Sequence, residues 1–178
     1  IYEKRFHPIY TNFPNKIDKN TARKILGLKA KYIILYFGII RDYKGFDILL
    51  KAISELKNSG LDFHLLAGGE CYGNDEKYTQ LISDLEISDF VTWHNKYIPD
   101  SDVAEYFSAA DVVALPYRSA SQSGITQIAY YYDIPVIVTK VGGLPETVDE
   151  GQSGFTIEPE NPTELANMLE KHLKKGTF

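Results

Sequence analysis

Tyr32-Ile-Ile-Leu-Tyr-Phe-Gly38 is followed, after a short polar loop, by Phe46-Asp-Ile-Leu-Leu-Lys-Ala-Ile-Ser-Glu-Leu56. The first stretch is an unbroken apolar run stopped by glycine, which suits a strand covered on both faces in a parallel sheet. In the second, Phe46, Leu49, Leu50, Ile53 and Leu56 recur at helical spacing, and Ser59-Gly60 closes the element. A buried strand, a loop and an amphipathic helix form the unit of an α/β fold, and that unit recurs downstream in kind though not in sequence.

Phe63-His-Leu-Leu-Ala67 reads as the second strand, stopped by Gly68-Gly69, and Tyr78, Leu81, Ile82 and Leu85 mark the second helix. Phe90–Trp93 is the expected third strand, followed by the Asn95–Pro99 loop and a short helix carrying Val103, Tyr106 and Phe107. Asp111–Leu115 is the fourth, ended by Pro116, and the loop Ser119–Gly124 opens a helix with Ile125, Ile128, Ala129 and Tyr132 on one face. Pro135–Thr139 and Gly154–Ile157 complete the strands. The last helix starts with Asn161 as N-cap, Pro162 at its first position and Glu164 in its first turn, and buries Leu165, Leu169, His172 and Leu173. Upstream, His7-Pro8 and Phe13-Pro14 make residues 1–30 an extended lead-in with one short helix over Lys19–Leu26, closed by Gly27; residues 31–178 form the domain. Short loops between alternating strands and helices imply right-handed crossovers and an α/β fold with a doubly wound parallel sheet.

Composition agrees. A chain of 178 residues is one domain's worth, 44% hydrophobic and 24% charged, which excludes a disordered segment. A net charge of −5 supplies no basic footprint for nucleic acid. The single cysteine, Cys71, excludes a disulfide-framed scaffold and has no base beside it to make it a nucleophile. No apolar run approaches the roughly 20 residues that span a bilayer. The chain opens on Ile1 and holds one methionine, Met168, so it reads as part of something longer.

In doubly wound sheets ligands bind outside the carboxyl ends of the strands. Gly38, Gly68-Gly69, Ser121–Gly124 and Gly142-Gly143 all fall there; each is either an ordinary turn or a place of close approach to a ligand. Ser121-Gln122-Ser123-Gly124 sets hydroxyls and N–H groups at a helix start, which fits plain capping or an anion. Arg41-Asp42-Tyr43-Lys44-Gly45 brings two cations to another helix start, where the dipole disfavours Lys44 and a phosphate partner would explain it. There is no dinucleotide glycine fingerprint and no P-loop, which argues against a dehydrogenase or an NTPase. His64, inside an apolar strand, reads as a core residue; His94 ends the third strand near the crevice; His7 and His172 read as structural or exposed. No histidines or carboxylates have metal-ligand spacing. Tyr130-Tyr131-Tyr132 reads as packing and surface rather than a stacking platform.

Leu35-Tyr-Phe-Gly-Ile-Ile-Arg-Asp-Tyr-Lys-Gly-Phe-Asp-Ile-Leu-Leu50 resembles the first-strand motif of GT-B glycosyltransferases of the group 1 (family 4) type. Ala109–Pro116, Pro135–Glu146, Gly151-Gln-Ser-Gly-Phe155 and Pro162–Ala166 are similar to the distal motifs in order and spacing, and His7-Pro8-Ile9-Tyr10 resembles the preceding linker. The resemblance implies a Rossmann-like C-terminal domain, the nucleotide-sugar-binding half of a two-domain enzyme whose N-terminal acceptor-binding domain lies outside this chain. It implies a retaining transferase of the hexosyltransferase type, with a UDP- or GDP-sugar as donor substrate, no metal and no other cofactor, inactive as an isolated domain. By the same resemblance Lys44, aided by Arg41, stabilises the leaving diphosphate, while Ser123, Gly124, Ile125 and Thr126 cradle it. Ser121 and Gln122 face the donor sugar, His94, Asn95, Lys96 and Tyr97 surround the base, and Gln127 lies towards the ribose. Two departures stand out. Ile39 occupies the place of the family's arginine, with Arg41 two residues later; Ser121 and Gln127 or Ile128 occupy the places of its paired glutamates. The implied role is polysaccharide or glycoconjugate biosynthesis in the cytoplasm, or at the inner face of a membrane. A degenerate module that binds a nucleotide sugar or a protein without chemistry is the alternative; a sugar-nucleotide epimerase matches Lys44 and Gly142-Gly143 poorly.

Overall fold

The computed structural model describes residues 13–175, so His7-Pro8-Ile9-Tyr10 lies outside the described residues. Strands β1 (Tyr32–Phe37), β2 (Phe63–Gly68), β3 (Val91–His94), β4 (Val112–Leu115), β5 (Val136–Thr139) and β6 (Gly154–Ile157) form one parallel sheet in the order β3-β2-β1-β4-β5-β6. Helices α1 (Lys19–Ile25), α2 (Phe46–Leu56), α3 (Glu76–Asp84), α4 (Val103–Ala109), α5 (Gly124–Tyr131) and α6 (Pro162–Lys175) cover it.

Alternation along β1 divides the core. Ile33, Leu35 and Phe37 pack with Ala22 of α1, Phe107 of α4 and Ala129 of α5. Ile34 and Tyr36 point the other way, with Leu49 and Ile53 of α2, Tyr78 of α3 and Leu165 and Leu169 of α6. The doubly wound expectation is met, and β1, buried on both faces, explains why its sequence is apolar without interruption.

Strand boundaries moved by a residue where a side chain or a missing donor intervenes. β3 begins at Val91 because Ser88–Phe90 forms a single 3-10 turn. β5 begins after Pro135, which has no N–H to give. β4 begins after Asp111, whose carboxylate accepts from the Ile33 N–H (2.6 Å), Arg23 Nη2 (2.5 Å) and Lys19 Nζ (2.8 Å), tying α1 to the sheet. The expected cap of α6 is present: Asn161 Oδ1 accepts from the Glu164 N–H at 3.0 Å, and Asn161 Nδ2 donates back to Glu164 Oε2 at 3.1 Å.

His64 is a correction. It is half-buried, not a core residue, and its Nε2 lies 2.8 Å from Thr92 Oγ1 on the neighbouring strand. The three tyrosines do pack: their hydroxyls donate to the carbonyls of Thr147, Phe13 and Pro14.

The strand order places the topological switch between β1 and β4. The chain winds outward from β1 to β3 and returns to β4 at the other side of β1, so their following loops diverge and leave a crevice.

Candidate functional site

The loop after β1 closes with one 3-10 turn, Asp42–Lys44, and reverses at Gly45 into α2. Gly45 has φ 66°, and a Cβ there would sit 2.0 Å from the Pro116 carbonyl oxygen. Glycine is what lets this turn press against the end of β4. Across the crevice, Ser123 is extended and caps α5, its Oγ accepting from the Ile125 N–H at 3.2 Å. Gly142 and Gly143 hold that loop from behind. A Cβ on Gly142, at φ 52°, would collide with the Ala120 carbonyl oxygen, and the Gly143 N–H donates to the Ser121 carbonyl at 2.9 Å. The backbone of the loop therefore requires both glycines.

Between the two loops lies a cleft of about 700 Å³ lined by Tyr43, Lys44, Tyr117 and the run Ser119–Ile125. Gly38, at the end of β1, adjoins two of these lining residues. A Cβ built on Gly38 would lie 3.5 Å from Lys44 Nζ and 3.4 Å from Ile125 Cδ1. Lys44 Nζ also stands 5.7 Å from the centre of the Tyr117 ring. Burial, and then the charge of Arg41, hold the Lys44 ammonium below its usual value. Tyr117 is almost fully buried, its hydroxyl 3.4 Å from Ser123 Oγ, and burial pushes its phenol up to about 12. Among the described residues no carboxylate lines the cleft.

The structure thus brings Lys44, Ser121, Gln122, Ser123, Gly124 and Ile125 together. Thr126 is buried behind them, its Oγ1 donating to the Ser123 carbonyl at 2.7 Å, and Gln127 is half-buried farther along α5, outside the lining. Arg41 is exposed and lies over Tyr72 at 5.5 Å, outside the lining, though its charge acts on Lys44. His94 ends β3 and Asn95, Lys96 and Tyr97 follow it, all outside the lining. His94 Nδ1 is 2.6 Å from the Tyr106 hydroxyl, and burial followed by the Lys96 charge lowers its pKa. Asn95 is occupied at both ends, accepting from the Cys71 N–H and donating to Asp75. Lys96 and Tyr97 are exposed. Sequence reasoning missed Tyr43 and Tyr117, although each adjoins a residue that marks the site: Lys44 and the strand-ending Pro116. Among the described residues no group of three His, Cys, Asp or Glu side chains is placed to hold a metal ion.

The chain matches the family model described as glycosyl transferases group 1 over residues 18–177. It is 33% identical over 161 residues to a D-inositol 3-phosphate glycosyltransferase of Segniliparus rotundus, an alignment covering 85% of this chain and 35% of that protein. A sucrose-phosphate synthase of Thermosynechococcus elongatus superposes with a TM-score of 0.79 at 27% identity, over 89% of this chain and 40% of that one. The fold also matches the C-terminal domain of a group 1 glycosyl transferase from Francisella tularensis (TM-score 0.80, 19% identity, 91% of this chain and 85% of that one). It matches Anabaena HepE solved in complex with UDP-glucose as well (TM-score 0.78, 22% identity, 92% and 48%). This chain therefore spans well under half of the curated relatives it matches. With a doubly wound sheet of GT-B type, a cleft at its switch point and a family match over nearly its whole length, the chain belongs to the group 1 glycosyl transferases.

Proposed function

We propose that the cleft is the donor site of a retaining glycosyltransferase that moves a sugar from a nucleotide-diphosphate sugar to an acceptor, without a metal, in polysaccharide or glycoconjugate biosynthesis. The observation that carries this reading is the convergence of the half-buried Lys44 ammonium and the start of α5 over Gly38. As the bond from the anomeric carbon to the phosphate oxygen lengthens, negative charge collects on the departing diphosphate. A preorganised ammonium and the first-turn N–H groups of α5 stabilise that charge most where it is greatest, the service a divalent cation would otherwise perform.

The base loop of His94, Asn95, Lys96 and Tyr97 lies two strand spacings from β1, about 10 Å. A nucleoside diphosphate would therefore lie across the carboxyl edge, phosphates at β1 and β4 and base towards β3. Ser121 and Gln122 would meet the sugar, Gln127 is offered to the ribose, and Arg41, whose charge acts on Lys44, would aid it at the phosphates. UDP is the first nucleotide to test, because a structure of similar fold holds UDP-glucose. The acceptor would sit on the N-terminal domain of the full-length protein.

Thermal unfolding with UDP, GDP, ADP or pyrophosphate tests the site. At about 100 times Kd a ligand adds roughly 2.7 kcal/mol, on the order of 5–10 °C for a domain of this size. One nucleotide is expected to give that shift and Lys44→Ala to diminish it. No shift with any of them refutes the assignment. One observation favours a second reading, a nucleotide-sugar module without chemistry: among the described residues the cleft lining has no carboxylate, whereas the resemblance implies paired glutamates there. Sugar transfer by the full-length protein decides between the two.

A further inference from the structure

Arg118 stands one residue before the cleft-lining run, outside it, and the chemistry above assigns it nothing. Yet it holds the Lys44 turn on several sides. Its backbone N–H donates to the Tyr43 carbonyl at 2.7 Å, and Nη1 donates to the Asp42 carbonyl at 2.7 Å. Nη1 and Nη2 form a fork on Asp47 at 2.8 and 2.7 Å, and Nε donates to Glu160 Oε1 at 2.6 Å. Asp47 lies in the first turn of α2, directly after the Lys44 turn, and Glu160 in the connection from β6 to α6. Within the Asp42–Lys44 turn the backbone bonds are one-turn ones, Lys44 N–H to the Arg41 carbonyl and Gly45 N–H to the Asp42 carbonyl, with no side-chain cap. On its outer side Asp42 Oδ1 accepts from Lys77 Nζ and, at 3.3 Å, from the Tyr78 hydroxyl, so Arg118 is what ties the turn to the α5 loop.

We propose that Arg118 is a positioning residue for the diphosphate lysine: its fork fixes the Asp42–Lys44 turn against the loop that opens α5, so that Lys44 and the helix start present one phosphate site. The inference rests on the reading of Lys44 given above. It follows from chain continuity, because Arg118 leads directly into Ser119–Ser123 while its hydrogen bonds end on both sides of Lys44. A lysine at this position would keep the charge but lose the planar fork, and could not serve Asp42, Asp47 and Glu160 together.

The test uses the full-length protein and the affinities of UDP against UMP, with GDP against GMP as a second pair. The readout is the preference for diphosphate over monophosphate, in the native protein, Lys44→Ala, Arg118→Lys and the double variant. Lys44→Ala is expected to abolish the preference. Arg118→Lys is expected to lower it about tenfold, as for loss of a charge-assisted contact, with monophosphate affinity unchanged. The double variant should show no loss beyond Lys44→Ala, the mark of two residues acting through one contact. Asp47→Asn, which leaves Arg118 in place, should move the preference in the same direction and covers the case in which Arg118→Lys does not fold. A lower melting temperature with an unchanged preference in both fork variants, or losses that add, would make Arg118 a stabilising ion pair only and overturn the proposal. If the native protein has no diphosphate preference, or Lys44→Ala keeps it, the reading of Lys44 fails and the proposal falls with it. That result is distinct from one in which Lys44→Ala loses the preference and Arg118→Lys keeps it.

Discussion

Lys44 is a charge held where charge is disfavoured. Burial and the Arg41 guanidinium lower its pKa from the usual 10.5, whereas a bound diphosphate favours the protonated form. The folded value lies below the unfolded one, so between them the unfolded chain binds more protons and stability rises with pH; the desolvation cost is carried in full at neutral pH. Ligand binding has the opposite slope. UDP affinity is expected to fall as pH rises through the free-protein value towards 10.5, with proton uptake on binding measurable by calorimetry in buffers of different ionisation heat. Lys44→Arg should flatten that profile, because a guanidinium stays charged throughout. Tyr117, pushed up to about 12, stays protonated over the same range. A second residue carries an unmet cost. The Tyr36 hydroxyl is buried with no hydrogen-bond partner among the described residues. Tyr36→Phe should leave stability unchanged or raise it by about 1 kcal/mol in urea unfolding, against the usual direction for a core substitution.

At the level of elements, the site is two loops made rigid from behind. Gly142 carries the left-handed turn that supports Ala120, and a methyl group there meets a carbonyl oxygen at an impossible distance. Gly142→Ala is expected to cost about 2 kcal/mol or more and to weaken UDP binding as well, since the Ser119–Ser123 loop must shift. Asn161→Ala offers the contrast: loss of the α6 cap should cost about 1 kcal/mol and leave UDP affinity unaltered, because α6 is outside the cleft lining. The two positions also differ in how they read from sequence. Asn161-Pro162-Thr163-Glu164 declares a helix start because capping is a contact over three residues. Gly142-Gly143 reads equally well as a ligand turn, because the partner that requires it, the Ala120–Ser121 backbone, lies on another loop. The same limit made β4 begin a residue late: the apolar run is visible, but the Asp111 carboxylate is claimed by Ile33 and Arg23 from elsewhere in the chain.

For the whole molecule, the match to 35% of a relative's length sets the next expectation. The present chain should bind the nucleotide and transfer no sugar, while the full-length protein should transfer it and retain activity in EDTA, measured as product formed from a UDP- or GDP-sugar. No described helix is long and apolar enough to cross a membrane. The sequence by itself determined the class of fold, since a strand buried on both faces and a one-sided helix each write their burial into local periodicity. It also determined the family and the two loops that bear Lys44 and Ser123. Only the tertiary structure decided which loops meet. Setting β4 beside β1 brings Lys44, Tyr117 and the start of α5 into one cleft and closes Arg118 on Asp47, while Arg41, turned onto Tyr72, and Asn95, spent on Cys71 and Asp75, fall outside it. Strand order is a long-range property, settled by how the crossover helices pack on the two faces of the sheet, and no periodicity within a single segment encodes it.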